Sequence, residues 1–413
     1  MAPNWFQRAY WTLASCGLAY VLGLAALTYP AVQRNATYLH NINPTLWQNL
    51  SDVESFGFLR GQVTPFTVTT ADNETIFAWH ILPAHVYKEH QDQLIQDAQL
   101  SPLPYEEIAS QQDKKNGIQL LLNDPKAILI VTFHGNAGHL ASAFRPGQYQ
   151  NLLGLSAPSQ PIHVISFDYR GFGLSTGSPS EEGVTLDAVT LLSQITGHTM
   201  PSSIVDLTSP ALQSLQLTTP SSPHSFIDPS RIIIVGQSLG TFVSTSFYHA
   251  WTLQLRRPPF KGLILLASFS SLTKLLDSYS IKGLTPPLFS PFAFYPSART
   301  WLHDQIVDKW DSATRLSELV TAKDLPLDLT IMHALDDVEI PWPEGWKNWE
   351  RCMESVGVDV AENKEEFQIW ENEDADGGGK KVVRWERLRK GGHNKITTGE
   401  GVKVAVLRVL DGD

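Results

Sequence analysis

Gly236-Gln237-Ser238-Leu239-Gly240 lies between the run Arg231, Ile232, Ile233, Ile234, Val235 and the helix-like stretch Thr241–Leu255. A G-x-S-x-G set between a β-branched strand and a helix is the setting of a nucleophile elbow, where a sharp turn lifts the serine hydroxyl to the end of the strand. Gly236 and Gly240 remove side chains that would collide in that turn. A serine hydroxyl is a weak nucleophile at its free pKa and needs a base, which in turn needs an acid to orient it. Where such an elbow is used, acid and base follow the serine in that order. Behind the strand-like Leu327–Met332 comes His333-Ala-Leu-Asp336-Asp337-Val-Glu-Ile-Pro341. Asp336 and Asp337 compete as the acid. Asp337, four residues before Pro341, is preferred, and the other is read as a loop residue bonding its own backbone. His393, in Gly391-Gly392-His393-Asn394, is the one histidine after Asp337 and is the expected base.

Acyl transfer also requires two N–H donors aimed at the developing oxyanion. The N–H of Leu239, next to the nucleophile, supplies one. The loop after the third strand, Phe133-His134-Gly135-Asn136-Ala137-Gly138, is expected to supply the other from Asn136. His134 precedes the serine and is read as shaping that loop. The segment Asp168–Ser175 lacks the G-x-G-x-x-G spacing of a dinucleotide cradle and is read as a structural loop beside the site. No metal and no cofactor is called for.

The elements that must position these residues alternate. Val63–Thr70 and Ile76–Leu82 read as a hairpin, and residues 85–118 as a polar surface excursion. Ala127–Phe133, Ile162–Phe167, Arg231–Val235, Gly262–Ala267, Leu327–Met332 and Val382–Leu388 are short apolar runs separated by helix-like segments. That alternation predicts βαβ units and a mostly parallel sheet flanked by helices. Residues 198–230, rich in Ser, Thr and Pro, and the acidic 362–380 read as surface insertions. Residues 271–310, after the sixth strand, hold Leu284, Pro286, Pro287, Leu288, Phe289, Phe292, Phe294 and Tyr295. They form either an apolar cap over the nucleophile or part of the core.

The chain has 413 residues and a formal net charge of −11, with 42% hydrophobic and 18% charged residues. This composition excludes global disorder. The acidic balance argues against nucleic acid, which demands a positive field. Cys16 and Cys352 alone cannot build a disulfide framework or a cysteine zinc site. Ala9–Tyr29 carries no charge and is long enough, as a helix, to cross the hydrocarbon core of a bilayer. A signal peptide would have a shorter apolar core and a small-x-small exit, and a buried helix would show a polar face. The span is therefore read as a membrane anchor within residues 1–34, followed by a linker over 35–55 and the main domain over 56–413. Three sequons, at Asn35, Asn49 and Asn73, follow the span at once and favour a body on the lumenal or outer side.

HGNAG, FDYRGFGLSTG, GQSLG, HALDDVEIP and GGHN, in that order behind an apolar span, resemble the α/β-hydrolase-domain serine hydrolases, and among them the membrane-anchored monoacylglycerol and lysophosphatidylserine lipases. The resemblance covers roughly residues 56–410. It implies an α/β-hydrolase fold, hydrolysis of glycerolipid esters at an endoplasmic-reticulum membrane with a lumenal active site, and Ser238, Asp337 and His393 as nucleophile, acid and base. Both insertions leave the motifs intact and bear on substrate preference. The expected partners are a lipid substrate and the bilayer. Within the same fold an acyl-protein thioesterase or a serine peptidase is an alternative. A catalytically silent membrane-tethered adaptor is disfavoured by the intact triad.

Overall fold

The structure, a computed structural model, describes residues 4–42, 48–99, 101–111, 114–198, 226–278, 289–292, 294–360, 366–373 and 379–412. Ten strands form one sheet: β1 (Val63–Thr69), β2 (Thr75–Ile81), β3 (Leu103–Pro104), β4 (Ile128–Phe133), β5 (Ile162–Phe167), β6 (Ile232–Gln237), β7 (Gly262–Leu266), β8 (Leu327–Ala334), β9 (Phe367–Glu373) and β10 (Lys380–Leu388). Their spatial order is β3-β1-β2-β5-β4-β6-β7-β8-β10-β9. From β5 to β10 neighbouring strands run parallel, while β2 meets β5, and β9 meets β10, antiparallel. Every residue of β4, β5, β6 and β7 is buried, as a sheet covered on both faces requires. That two-sided burial is why these strands read as unbroken apolar runs.

Helices α1 (Trp5–Ala26) and α2 (Pro30–Tyr38) precede the sheet, and α3 (Ala84–Gln96), α4 (Tyr105–Ser110) and α5 (Gly117–Asn123) lie between β2 and β4. Next, α6 (Arg145–Leu153), α7 (Glu181–Thr196) and α8 (Leu239–His249) follow β4, β5 and β6. The connection from β7 to β8 carries α9 (Leu272–Ser278), α10 (Pro296–Asp304) and α11 (Ser312–Thr321). Beyond β8 come α12 (Trp342–Ser355) and, after β10, α13 (Gly392–Lys395) and α14 (Glu400–Asp411). One face of the sheet is covered by α7, α8, α11 and α12 through residues such as Val189, Phe242, Leu316 and Trp346. The other is covered by α6 and α14 through Tyr149, Leu152, Val402 and Val406. The chain passes from β4 to β5 on one side, then crosses to β6 on the other. The C-terminal ends of β4 and β6 therefore border the crevice where ligands bind in sheets of this kind.

Four expectations are corrected. Residues 85–118 are not a plain surface excursion but carry nearly all of α3, the whole of α4 and the start of α5, because Tyr87, Leu94, Tyr105, Ile108 and Ile118 are buried out of a polar background. The acidic stretch 362–380 is not all loop: β9 extends the sheet edge, with Phe367–Glu373 paired to β10. Residues 35–55 are not a free linker, since Tyr38, Leu50 and Val53 are buried and the Tyr38 hydroxyl donates to Asp308 at 2.9 Å. Their apolar residues are too scattered to show a period. Finally, α1 begins at Trp5 rather than Ala9, because Asn4 and Gln7 form a reciprocal capping box. It ends at Ala26 because Pro30 disfavours helical backbone at Tyr29 and starts α2. Most of the insertion at 198–230, and Leu284, Pro286, Pro287 and Leu288, lie outside the described residues.

The loop after β5 is held by charge in the core. Arg170 donates through Nε to Asp187 at 2.9 Å and through Nη1 to Asp72 at 2.6 Å, and its backbone N–H also reaches Asp187 at 2.8 Å. Asp187 is fully buried, so removing its partner would strand a charge in the interior, at a cost of about 3–5 kcal/mol. Arg170→Met is expected to lower the free energy of unfolding by about that amount in a denaturant titration. A loss below about 1 kcal/mol would mean the cluster is not needed to hold the loop.

Candidate active site

Ser238 ends β6 and opens α8 with φ 54° and ψ −121°, a conformation that side-chain-bearing residues rarely hold and that costs of order 1–3 kcal/mol. Its neighbours make the turn possible. A Cβ on Gly240 would run into the Phe133 carbonyl, and one on Gly236 would sit 2.5 Å from the Ser244 hydroxyl. The Ser238 N–H continues the sheet ladder to the Leu266 carbonyl at 3.0 Å, which fixes the turn on both sides.

The structure brings Ser238, His393 and Asp337 together. His393 Nε2 lies 2.9 Å from Ser238 Oγ, and Nδ1 lies 2.8 Å from Asp337 Oδ2. The Asp337 side chain has no solvent exposure, and that of His393 is 8% exposed. Burial alone would raise the Asp337 pKa. Hydrogen bonds and charge from His333 and His393 outweigh it and hold the carboxyl well below the usual carboxylate range. An ionised carboxylate only accepts, so Nδ1 carries the proton and Nε2 is free to accept from the serine hydroxyl. Asp337 Oδ1 also accepts from the N–H groups of Glu339 at 2.9 Å and Ile340 at 2.9 Å. His333, not anticipated from the sequence, donates from Nε2 to the Ile340 carbonyl at 2.9 Å and lies 3.3 Å from Asp337. The expected division between the two acids is partly reversed. It is Asp337 that bonds its own loop, whereas Asp336 reaches across to accept from the Gly392 N–H at 2.8 Å and so braces the histidine loop.

The loop after β4 lies against Ser238. Arg145 Nη2 donates to the carbonyls of Gly135 at 3.0 Å, Asn136 at 3.1 Å and Ala137 at 2.9 Å. In a planar trans peptide the C=O and the following N–H point oppositely. With the Gly135 carbonyl turned onto Arg145, the Asn136 N–H is turned away from it, and Asn136 lines the same cavity as Ser238 and Leu239. Leu239 opens α8, so its N–H is one of the donors a helix N-terminus leaves without an intrahelical partner. Arg145 was also missed from the sequence. One signal existed: it is the only Asp, Glu, Lys or Arg between Lys126 and Asp168. His134 has the shaping role expected of it. Burial, reinforced by Arg145, lowers its pKa, and it donates from Nδ1 to the Gly135 carbonyl at 2.7 Å with Asp168 3.3 Å from Nε2.

A cavity of about 290 Å³ opens onto Ser238, His393 and Asn136. Its walls are mostly apolar, with Phe242 and Phe269 from the core, Leu272 and Leu275 of α9, then Phe289 and Leu302, and they also carry Gln33, Gln305 and Glu339. Of the expected cap residues, Phe289 faces this cavity and Phe292 packs beside it, while Phe294 and Tyr295 face outward.

The fold and the hydrogen-bonded Ser–His–Asp arrangement define a serine hydrolase. A family model described as alpha/beta hydrolase family matches residues 129–394, and the chain belongs to that family. Lysophosphatidylserine lipase ABHD12 of Xenopus tropicalis is 27% identical over 351 residues, 83% of this chain and 73% of the relative. The protein of the same name from Gallus gallus is 24% identical over 346 residues, 83% and 72% of the two chains. Among solved structures, an alpha-beta hydrolase from Vibrio vulnificus superimposes with a TM-score of 0.51 at 14% identity, covering 92% of each chain, a likeness of fold.

Asp337 Oδ2 lies 2.8 Å from His393 Nδ1, where an amide would favour the other tautomer, so Asp337→Asn is expected to cut turnover by about 10⁴-fold, whereas Asp336→Asn, which weakens one bond to a loop N–H, should cost under about tenfold. Steady-state hydrolysis of an activated ester by both variants checks this, and the opposite ranking would transfer the acid role to Asp336.

Proposed function

We propose that this protein is a membrane-anchored serine hydrolase that cleaves carboxylic esters of lipids, a monoacylglycerol or a lysophospholipid, through an acyl-enzyme on Ser238. The observation that carries this reading is the apolar cavity ending at the Ser238 hydroxyl, which suits an acyl chain with its ester at the triad. In this mechanism Ser238 Oγ attacks the ester carbonyl as His393 Nε2 takes its proton. Asp337 stabilises the imidazolium so formed. The N–H groups of Leu239 and Asn136 receive the oxyanion. His393 then returns the proton to the departing alcohol. Water, activated by the same imidazole, hydrolyses the acyl-enzyme and frees the fatty acid. The lipase names carried by the relatives favour the same substrate class.

The N-terminal segment supports the proposed location. Helix α1 is long and apolar enough to cross a membrane, and among the described residues it is the one helix that is. We place the protein in the endoplasmic-reticulum membrane with the hydrolase domain in the lumen. Asn49 is exposed, and Asn73 is exposed at the tip of the β1–β2 turn, where a glycosylating enzyme can reach it. Asn35 sits inside α2, close to the span.

Two outcomes are expected. A fluorophosphonate should label the protein covalently and Ser238→Ala should abolish the labelling, with release of fatty acid from monoacylglycerol or lysophosphatidylserine lost in parallel. Labelling that survives the substitution would remove Ser238 as nucleophile, and turnover of thioester or peptide substrates alone would redirect the assignment within the fold. Separately, glycosidase treatment should shift the electrophoretic band, and Asn49→Gln combined with Asn73→Gln should eliminate the shift. Digestion of the body by protease added to sealed microsomes would put the domain in the cytosol.

A further inference from the structure

The cavity at Ser238 is not closed by the hydrolase fold alone. Leu24 of α1, with Leu27 and Thr28 just past its end, lines the cavity, and so do Ala36, Thr37 and Leu39 in and after α2. Helix α1 is otherwise bare: Tyr10, Trp11, Leu13, Leu18, Val21 and Leu22 are all exposed. Among the described residues only its last turns meet the body, where Leu24, 8% exposed, packs with Phe289 and Leu302 and the Tyr20 ring lies 6.5 Å from that of Phe292.

This junction is fastened by directional bonds. Gln33 Nε2 donates to the Gln305 carbonyl at 2.6 Å, and its Oε1 accepts from the Val307 N–H at 3.0 Å. Tyr38 and Arg34 both engage Asp308, at 2.9 Å and 3.7 Å. The membrane helix and the connection carrying α10 are thus held as one unit above the nucleophile. Tyr29, just past the end of α1, and Phe294, Tyr295 and Trp301, in the connection that packs on it, are all more than half exposed. Aromatic side chains of this kind settle at the boundary between lipid and water.

We propose that α1 is a wall of the acyl-chain site as well as an anchor. The substrate's chain passes from the bilayer along the Tyr20–Leu24–Leu27 side of α1 into the cavity and places its ester at Ser238, without crossing water. The proposal rests on the lipid-ester reading given above. Its physical basis is the partition penalty: moving a chain from lipid to water costs about fourfold in equilibrium per methylene, so an 18-carbon ester gains greatly from a continuous apolar path.

The test uses the full chain in phosphatidylcholine vesicles and an alkyl fluorophosphonate with an 18-carbon tail bearing a photoreactive diazirine near its end. Once the probe is attached to Ser238, irradiation should cross-link the tail to peptides containing Tyr20–Thr28. Attachment at Ser238 with cross-links confined to residues beyond 40 would overturn the proposal and leave the hydrolase reading intact. Failure to attach at Ser238 would overturn the hydrolase reading itself. In parallel, Leu24→Trp should lower the ratio of 18-carbon to 4-carbon ester turnover at least tenfold. Leu18→Trp, on the lipid-facing side, should leave that ratio within twofold. A ratio unaltered by Leu24→Trp in labelled, folded protein would also overturn the proposal.

Discussion

One imidazole sets the terms for the rest of the molecule. His393 has to stand within hydrogen-bond reach of Ser238 and Asp337 at the same time, at 2.9 Å and 2.8 Å, although the three residues follow three different strands. The parallel sheet meets this demand because β6, β8 and β10 all deliver their C-terminal ends to one edge. Strand β7 lies between β6 and β8, so the loops carrying acid and base have to lean back across its end. The lean is stabilised from both sides. Asp336 holds the backbone at Gly392, and Gln237 Nε2, next to the nucleophile, donates to the His393 carbonyl at 3.2 Å.

The same economy governs charge and strain. Asp337 is buried and ionised, which would be costly for a lone carboxylate. It is matched by two backbone N–H groups and two histidines, a full set of partners for a buried polar group. Ser238 is held in a strained conformation by a turn locked into the most deeply buried part of the sheet, where β4, β6 and β7 are covered on both faces. The loop after β4 is held by a guanidinium rather than by secondary structure. Arg145 collects the successive carbonyls of Gly135, Asn136 and Ala137, which fixes the directions of the loop's peptide groups.

What the sequence reveals about this arrangement depends on how local the signal is. The elbow is legible because strand, turn and helix are contiguous and the glycines stand where Cβ atoms would collide. The parallel sheet is legible because burial on both faces leaves unbroken β-branched runs. His393 is legible by position alone. Asp337 is preferred over Asp336 in the sequence, but the hydrogen bonds separating their duties involve Gly392 and His333, both remote or unmarked in the chain. Arg145 gives only the hint of a solitary charge in an uncharged stretch. The strand Phe367–Glu373 is masked by the acids around it, since an edge strand needs only one apolar face. Residues 35–55 look like a linker because Tyr38, Leu50 and Val53 reach the body one at a time.

This last misreading bears on selectivity. A hydrogen-bonded Ser–His–Asp set of this kind is generic to acyl transfer and carries no preference for one ester over another. Discrimination has to come from the cavity walls, and several of those walls belong to α1 and α2 rather than to the sheet and its helices. A segment that looks like a tether in the sequence is fixed to the cap by Gln33, Arg34 and Tyr38. With α2 and the connection carrying α10 joined in this way, the end of α1 is held at the cavity, and a helix long and apolar enough to cross a membrane is thereby tied to the wall of the site. Detaching α1 would then do more than remove an apolar helix from the chain. It would remove Leu24 and Leu27 from the cavity lining and open the space around Ser238 to water.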